Sequence, residues 1–194
     1  MNAIIIRIAR LASVAILGTM LFGCVTLKMP PATVSVDNQQ KLHAAALAPA
    51  KAGTFALAVG KPADMDKSQG GMRGSSMEPL NGSFAQTLRD QLVMELKAAG
   101  LYDDAATAVI SGELTQSELD AAIGTGTGRL GAHFSVVRDG KKVYDKELVA
   151  DAKWESSFMG PVAIPAAMNQ YAALYRTLVG QLFADPDFQH ALAR

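Results

Sequence analysis

The chain has 194 residues, with 18 basic and 18 acidic side chains, 49% apolar residues and a single cysteine. One cysteine excludes an internal disulfide and a cysteine-based zinc site, and a formal charge of zero lacks the basic surface that a nucleic-acid binder needs. The length suits one domain with a real core, while the 19% charged fraction falls below the usual ~25%.

Residues 1–23 read as a cleaved secretory signal. Arg7 and Arg10 supply the positive n-region, and Leu11 to Phe22 is an uncharged h-region, too short for a comfortable membrane span. Leu21-Phe22-Gly23-Cys24 then resembles the lipobox of bacterial lipoproteins, with Phe22 larger than the residue usual there. That resemblance implies cleavage between Gly23 and Cys24 and acylation of Cys24, palmitate included. Several acyl chains on one cysteine satisfy the rule that stable anchoring takes more than one. Val25 follows, where Asp would signal inner-membrane retention, so the resemblance implies the periplasmic face of the outer membrane. Removing residues 1–23 takes two arginines and no acid, so the mature chain is slightly acidic and its only thiol is the lipidated one.

Residues 24–52 read as the lipidated cysteine and a tether, in which Pro30-Pro31 disfavours helix, Thr33 to Val36 alternates like a short strand, and Lys41 to Ala52 is Ala-rich. Residues 53–194 form the single periplasmic domain. Its first strand is Thr54 to Val59, with Phe55, Leu57 and Val59 on one face. Residues 61–82, rich in Gly, Pro and Ser, read as a flexible loop. Ser83 to Ala99 carries the clearest helix: a capping box at Ser83-Phe84-Ala85-Gln86, a stripe of Phe84, Leu88, Leu92 and Leu96, and Gly100 at the C′ position.

Strands follow at Thr107 to Thr115, Leu130 to Arg138 and Lys141 to about Trp154, the last two joined by the hairpin turn Asp139-Gly140. Ser117 to Gly128 reads as irregular, and Ser156 to Gly160 as a break. A long helix from about Ile164 to Ala184 carries Pro165 in its first turn and the stripe Ile164, Met168, Tyr171, Leu174, Tyr175, Leu178 and Leu182; Asp185-Pro186 ends it, and Asp187 to Ala193 adds a short closing helix. The order β-α-β-β-β-α predicts an α+β fold, a two-layer sandwich of about four strands with two helices packed on one face.

No catalytic constellation stands out. Gly124 to Gly128 precedes a strand and lacks the Gly-Lys-Ser/Thr of a phosphate loop. His43, His133 and His190 share no ligand spacing, and no Gly-x-Ser-x-Gly is present. Met65, Met72 and Met77 alone make a weak case for Cu(I). The expectation is a protein without catalytic residues, metal, cofactor or nucleic-acid partner. The terminal helix is more telling: from Ser156 to Ala184 its only charge is Arg176. Its outer face, with Asn169, Ala172 and Gly180 beside Gln170, Ala173, Arg176, Thr177 and Gln181, is either covered by the tether or the tail, or open to a partner protein. Gln170, Ala173, Arg176, Thr177 and Gln181 are the predicted partner interface.

With the lipobox, the segments Ser83 to Leu101, Phe134 to Glu155 and Ala163 to Phe188 resemble small Gram-negative lipoproteins. They are similar to YajG-like lipoproteins and the auxiliary lipoproteins of ABC-type transport systems, with the lipopolysaccharide-assembly lipoprotein a looser analogue. The resemblance implies a non-catalytic, periplasm-facing domain that supports an envelope complex. Two alternatives remain: a lipid or glycan carrier using the sheet near Tyr144 and Trp154 with 61–82 as a lid, and an unrecognised hydrolase.

Overall fold

The computed structural model describes residues 25–194. The chain is α+β. In order, its elements are β1 (Thr26–Lys28), α1 (Val36–Ala44), β2 (Lys51–Leu57), a 3-10 turn (Ala63–Asp66), β3 (Gln69–Met72), β4 (Ser75–Glu78), α2 (Phe84–Ala98), β5 (Val109–Asp120), β6 (Gly124–Arg138), β7 (Lys141–Ser156), α3 (Gly160–Ala184) and α4 (Pro186–Ala191). A four-stranded sheet runs β2-β5-β6-β7 and a three-stranded sheet runs β1-β4-β3. β2 lies parallel to β5, β1 parallel to β4, and the remaining pairs are antiparallel.

The large sheet alternates along its strands. Leu130, Ala132, Phe134 and Val136 of β6 and Ile110 and Leu114 of β5 are buried under α2 and α3. A register shift between Leu114 and Gln116 keeps the pattern useful: beyond it Ser117 and Leu119 face inward. The Ser117 hydroxyl lies 2.7 Å from that of Tyr171, itself 3.2 Å from Tyr175. Burial pushes the Tyr171 hydroxyl up to about 12, so this chain of hydroxyls stays neutral. The edge-on ring pair Phe84–Tyr171 joins the two helices, and Tyr144–Phe188 fastens α4 to β7.

The predicted terminators act as their chemistry requires. Asp139 and Gly140 both adopt positive φ in the β6–β7 turn. Gly100, also at positive φ, ends α2 with Leu101 N donating to Leu96 O at 2.8 Å and Gly100 N to Lys97 O at 3.1 Å. The capping box is half made. Ser83 Oγ accepts from Gln86 N, but the Gln86 amide donates to Phe55 O, while Asp66 takes both Ser83 Oγ–H and Ala85 N–H.

Three stretches differ from expectation. α3 begins a turn earlier than Ile164, at Gly160-Pro161, so Pro165 sits inside the helix. Ser117 to Gly128 is largely strand. Gly126 and Gly128 supply space there rather than flexibility: a Cβ on Gly126 would lie 2.2 Å from the Trp154 ring, and one on Gly128 3.1 Å from Leu174. Residues 61–82 hold β3 and β4 instead of one open loop, and β3 is pressed so closely on β5 that a Cβ on Gly71 would meet Leu119 O at 1.7 Å.

The stretch expected as a tether is built into the domain. β1 pairs with β4, Leu47 bridges Ala193, and Ala50 bridges Tyr102. Thr33 to Val36 forms no strand; Ser35 caps α1 instead. α1 is held by Glu95 of α2, a fully buried carboxylate. Glu95 accepts from Ser35 N (3.0 Å), Asn38 Nδ2 (3.1 Å) and Gln91 Nε2 (3.0 Å) on one oxygen and from Gln39 Nε2 (2.7 Å) on the other. Asn38 and Gln91 use their second N–H on Arg176 O and Thr33 O, so the cluster leaves no amide proton of these two idle.

Replacing Glu95 strands those donors in the interior. Glu95→Leu is expected to lower the unfolding free energy by about 2–5 kcal/mol in urea titration. Amide exchange should accelerate in α1 well before it does in β6 and β7.

Candidate functional site

The outward side of α3 is divided by α1. Arg176 is half-buried, and its Nη1 donates to Thr33 Oγ1 at 3.1 Å. Gly180 is buried against Asn38, whose Oδ1 would lie 2.3 Å from an added Cβ, and its carbonyl accepts from Lys41 Nζ at 3.2 Å. Ala172 is buried as well. Of the five predicted interface residues, Arg176 is therefore engaged in docking the N-terminal segment. Thr177 is exposed, and Gln170, Ala173 and Gln181 are half-buried. With Val162, Ala166 and Ala184 they recur every three or four residues, so they line one strip of the helix. Covering by α1 explains why half the outer face needs no charge; the strip is the half that remains open.

A second constellation, which sequence reasoning missed, gathers at one end of the sheet. Arg73, in the β3–β4 turn at φ 53°, donates from Nε to Ala121 O (2.8 Å), from Nη1 to Phe158 O (3.0 Å) and from Nη2 to Ser156 Oγ (3.2 Å) and Ser157 O. Ser156 Oγ in turn donates to Ala121 O at 3.3 Å, and Ala121 N donates to Gly71 O at 2.8 Å. One guanidinium thus ties the β3–β4, β5–β6 and β7–α3 turns together. On these turns and the first turn of α3, Ile123, Phe158, Met159 and Val162 stand 71, 75, 49 and 50% exposed. Ile123, Phe158 and Val162 line one shallow depression. The sequence signal was Phe158-Met159 inside a Ser/Gly break, which marks a turn but not its neighbours.

Val25, where the described chain begins, lies at this same end. Its carbonyl accepts from Ser76 N at 3.0 Å, three residues along the chain from Arg73. Gly23 and Cys24, the predicted cleavage and lipidation residues, lie outside the described residues.

The sheet face away from the helices is open and polar. Arg129 pairs with Asp151 at 2.7 Å and His133 with Asp145 at 3.3 Å, and Thr115 and Gln116 donate to Glu147 at 2.7 and 3.2 Å. The hydrogen bonds from Thr115 and Gln116 hold the Glu147 carboxyl below its ordinary range, and the one from Arg129 does the same for Asp151. Such exposed pairs contribute little stability and fit a solvated face. His43, His133 and His190 fall on α1, β6 and α4, and among the described residues no three His, Cys, Asp or Glu side chains converge as metal ligands would. Tyr144 and Trp154 do not line this open face. Both point to the helix side of β7, Tyr144 under Phe188 and Trp154 over Gly126. An apolar groove beside Met29, Pro31, Leu80 and Met94 measures about 270 Å³, smaller than most ligand pockets.

No family model and no curated relative matches the chain. Solved structures do. Protein XCC0632 from Xanthomonas campestris, of family DUF330, aligns with a TM-score of 0.53 at 12% identity, over 83% of this chain and 95% of that one. CT253 from Chlamydia trachomatis aligns at 0.42 and 11% identity, over 71% and 96%, and a minor lipoprotein from Acinetobacter baumannii at 0.39 and 17%, over 70% and 92%. The first likeness shows a shared fold, which leaves function to be argued from the sites.

The glycine beneath the tryptophan gives a direct check on the end turns. Gly126→Val should displace the Trp154 ring, shift its emission to longer wavelength and lower the melting temperature. Gly124→Val, with open space around its Cα but a positive φ, should cost stability by backbone strain and leave the emission unchanged.

Proposed function

We propose that this chain is a lipid-anchored accessory protein of the bacterial outer membrane, facing the periplasm, that binds a protein partner and carries out no catalysis. The observation that carries the reading is the lipobox: Gly23-Cys24 directly after an uncharged h-region and a basic n-region. Among the described residues no helix is long and apolar enough to cross a membrane. The anchor proposed is the set of acyl chains on Cys24. The partner surface is the open strip of α3, Gln170, Ala173, Thr177 and Gln181, flanked by Arg176 where α1 closes over the helix. Small and amide side chains let a second backbone approach closely, and nothing charged must be desolvated when it does.

Two measurements test this. Cys24→Ala should abolish incorporation of labelled palmitate and release the protein from the membrane fraction; unchanged membrane association would overturn the anchor. A photo-crosslinking residue placed at Gln170 or Ala173 in cells should trap one discrete envelope protein, and Ala173→Arg should remove that adduct. Adducts spread over bulk abundant proteins would overturn the partner surface.

A further inference from the structure

We infer that the folded domain itself rests on the lipid surface, through the apolar end formed by Ile123, Phe158, Met159 and Val162. The inference depends on the anchor reading above and adds to it which face the domain turns to the bilayer.

Cys24 precedes Val25 by one peptide unit, about 3.8 Å between Cα atoms. Val25 is already fixed to Ser76, and Thr26 to Lys28 pair with Ser76 to Glu78. The chain therefore enters the domain without slack, beside the β3–β4 turn. From that turn Arg73 reaches the carbonyls of Ala121, Ser157 and Phe158. Acyl chains on Cys24 must bring this end to the membrane. It is also the end where four large apolar side chains are left in water. Exposed apolar groups gathered on one end mark a contact surface, and here the covalent geometry says with what.

The form of the end agrees. Ile123 and Phe158 lie on turns, so they project beyond the strand ends, and the Arg73 hydrogen bonds fix those turns in place. Apolar groups presented this way enter the boundary between headgroups and acyl chains, about 5–10 Å deep. The nearest charged residues along the chain are Asp120 and Glu155, both exposed acids, and the Arg73 guanidinium is already spent on backbone carbonyls. Contact is therefore by apolar insertion and not by attraction to anionic lipid, and it should persist when salt is raised.

The test uses the acylated full-length protein in phosphatidylethanolamine/phosphatidylcholine vesicles with brominated acyl chains. Acylation occupies the only native cysteine, so Ile123→Cys, Phe158→Cys or Lys141→Cys each offers one free thiol for a fluorophore. Position 141 opens β7 at the opposite end of the β6–β7 hairpin. Fluorescence should be lost to the brominated lipid at 123 and 158, equally at low and high salt, and kept at 141. If the protein floats with the vesicles and no label is quenched, or all three are quenched alike, the inference falls and the anchor stands. If a label at 158 is shielded only as protein concentration rises, a second copy occupies the end and the inference falls. If the wild-type protein does not float, the anchor reading falls and takes the inference with it.

Discussion

A buried carboxyl group, with no cationic partner among the described residues, sets the terms of this fold. Glu95 gathers the first turn of α1, the middle of α2 and, through Asn38, the backbone of α3 at Arg176. Charge in an interior is costly unless its hydrogen bonds are complete, and here they come from the backbone of Ser35 and the amides of Asn38, Gln39 and Gln91. Because three of those donors, Ser35, Asn38 and Gln39, sit on the N-terminal segment, that segment cannot leave without stranding Glu95. The helix layer is thus three helices locked around one oxygen pair, and what reads as a leash in one dimension is a wall of the domain in three.

The core of the fold was legible where periodicity and turn chemistry agree. The stripe Phe84, Leu88, Leu92 and Leu96, the Gly100 terminator and the Asp139-Gly140 turn each have a local cause, and each appears as expected. The misread regions have long-range causes. Gly124 to Gly128 looks like a supple connection, yet it pairs with β7 as strand, and positions 126 and 128 are glycine because Trp154 and Leu174 occupy the space their side chains would need. Residues 69–78 carry little apolar periodicity, and they form strands because β1 supplies an edge to pair with, fifty positions away. α1 is polar along most of its length; one core residue, Leu42, together with the fit of Asn38 against Gly180 and the Glu95 contacts, gives it a place.

The site was legible in part for the same reason. The low charge of α3 is a local property and was visible. That Arg176 and Gly180 belong to an internal contact was not, because α1 lies some 140 positions away in sequence. Of the apolar end only the Phe158-Met159 turn left a trace in the sequence. The members of that end come from two turns and a helix start, and their common feature is one guanidinium from a third turn. An arginine in a Gly/Ser-rich segment carries no such meaning until the fold places the carbonyls around it.

The parallel pairing of β1 with β4 has a mechanical consequence. A protein on a long leash samples a hemisphere of positions and meets distant partners by diffusion; with the anchor proposed at Cys24, a chain tied to β4 from the very next residue stands like a post. α3 starts at the end where Val25 pairs with Ser76 and runs away from it for 25 residues, roughly 37 Å at 1.5 Å per residue. On the anchored reading, the strip along it is offered over a narrow range of heights above the bilayer. Any partner must then span the remaining gap itself, and the search becomes two-dimensional, carried out by sliding in the plane of the membrane.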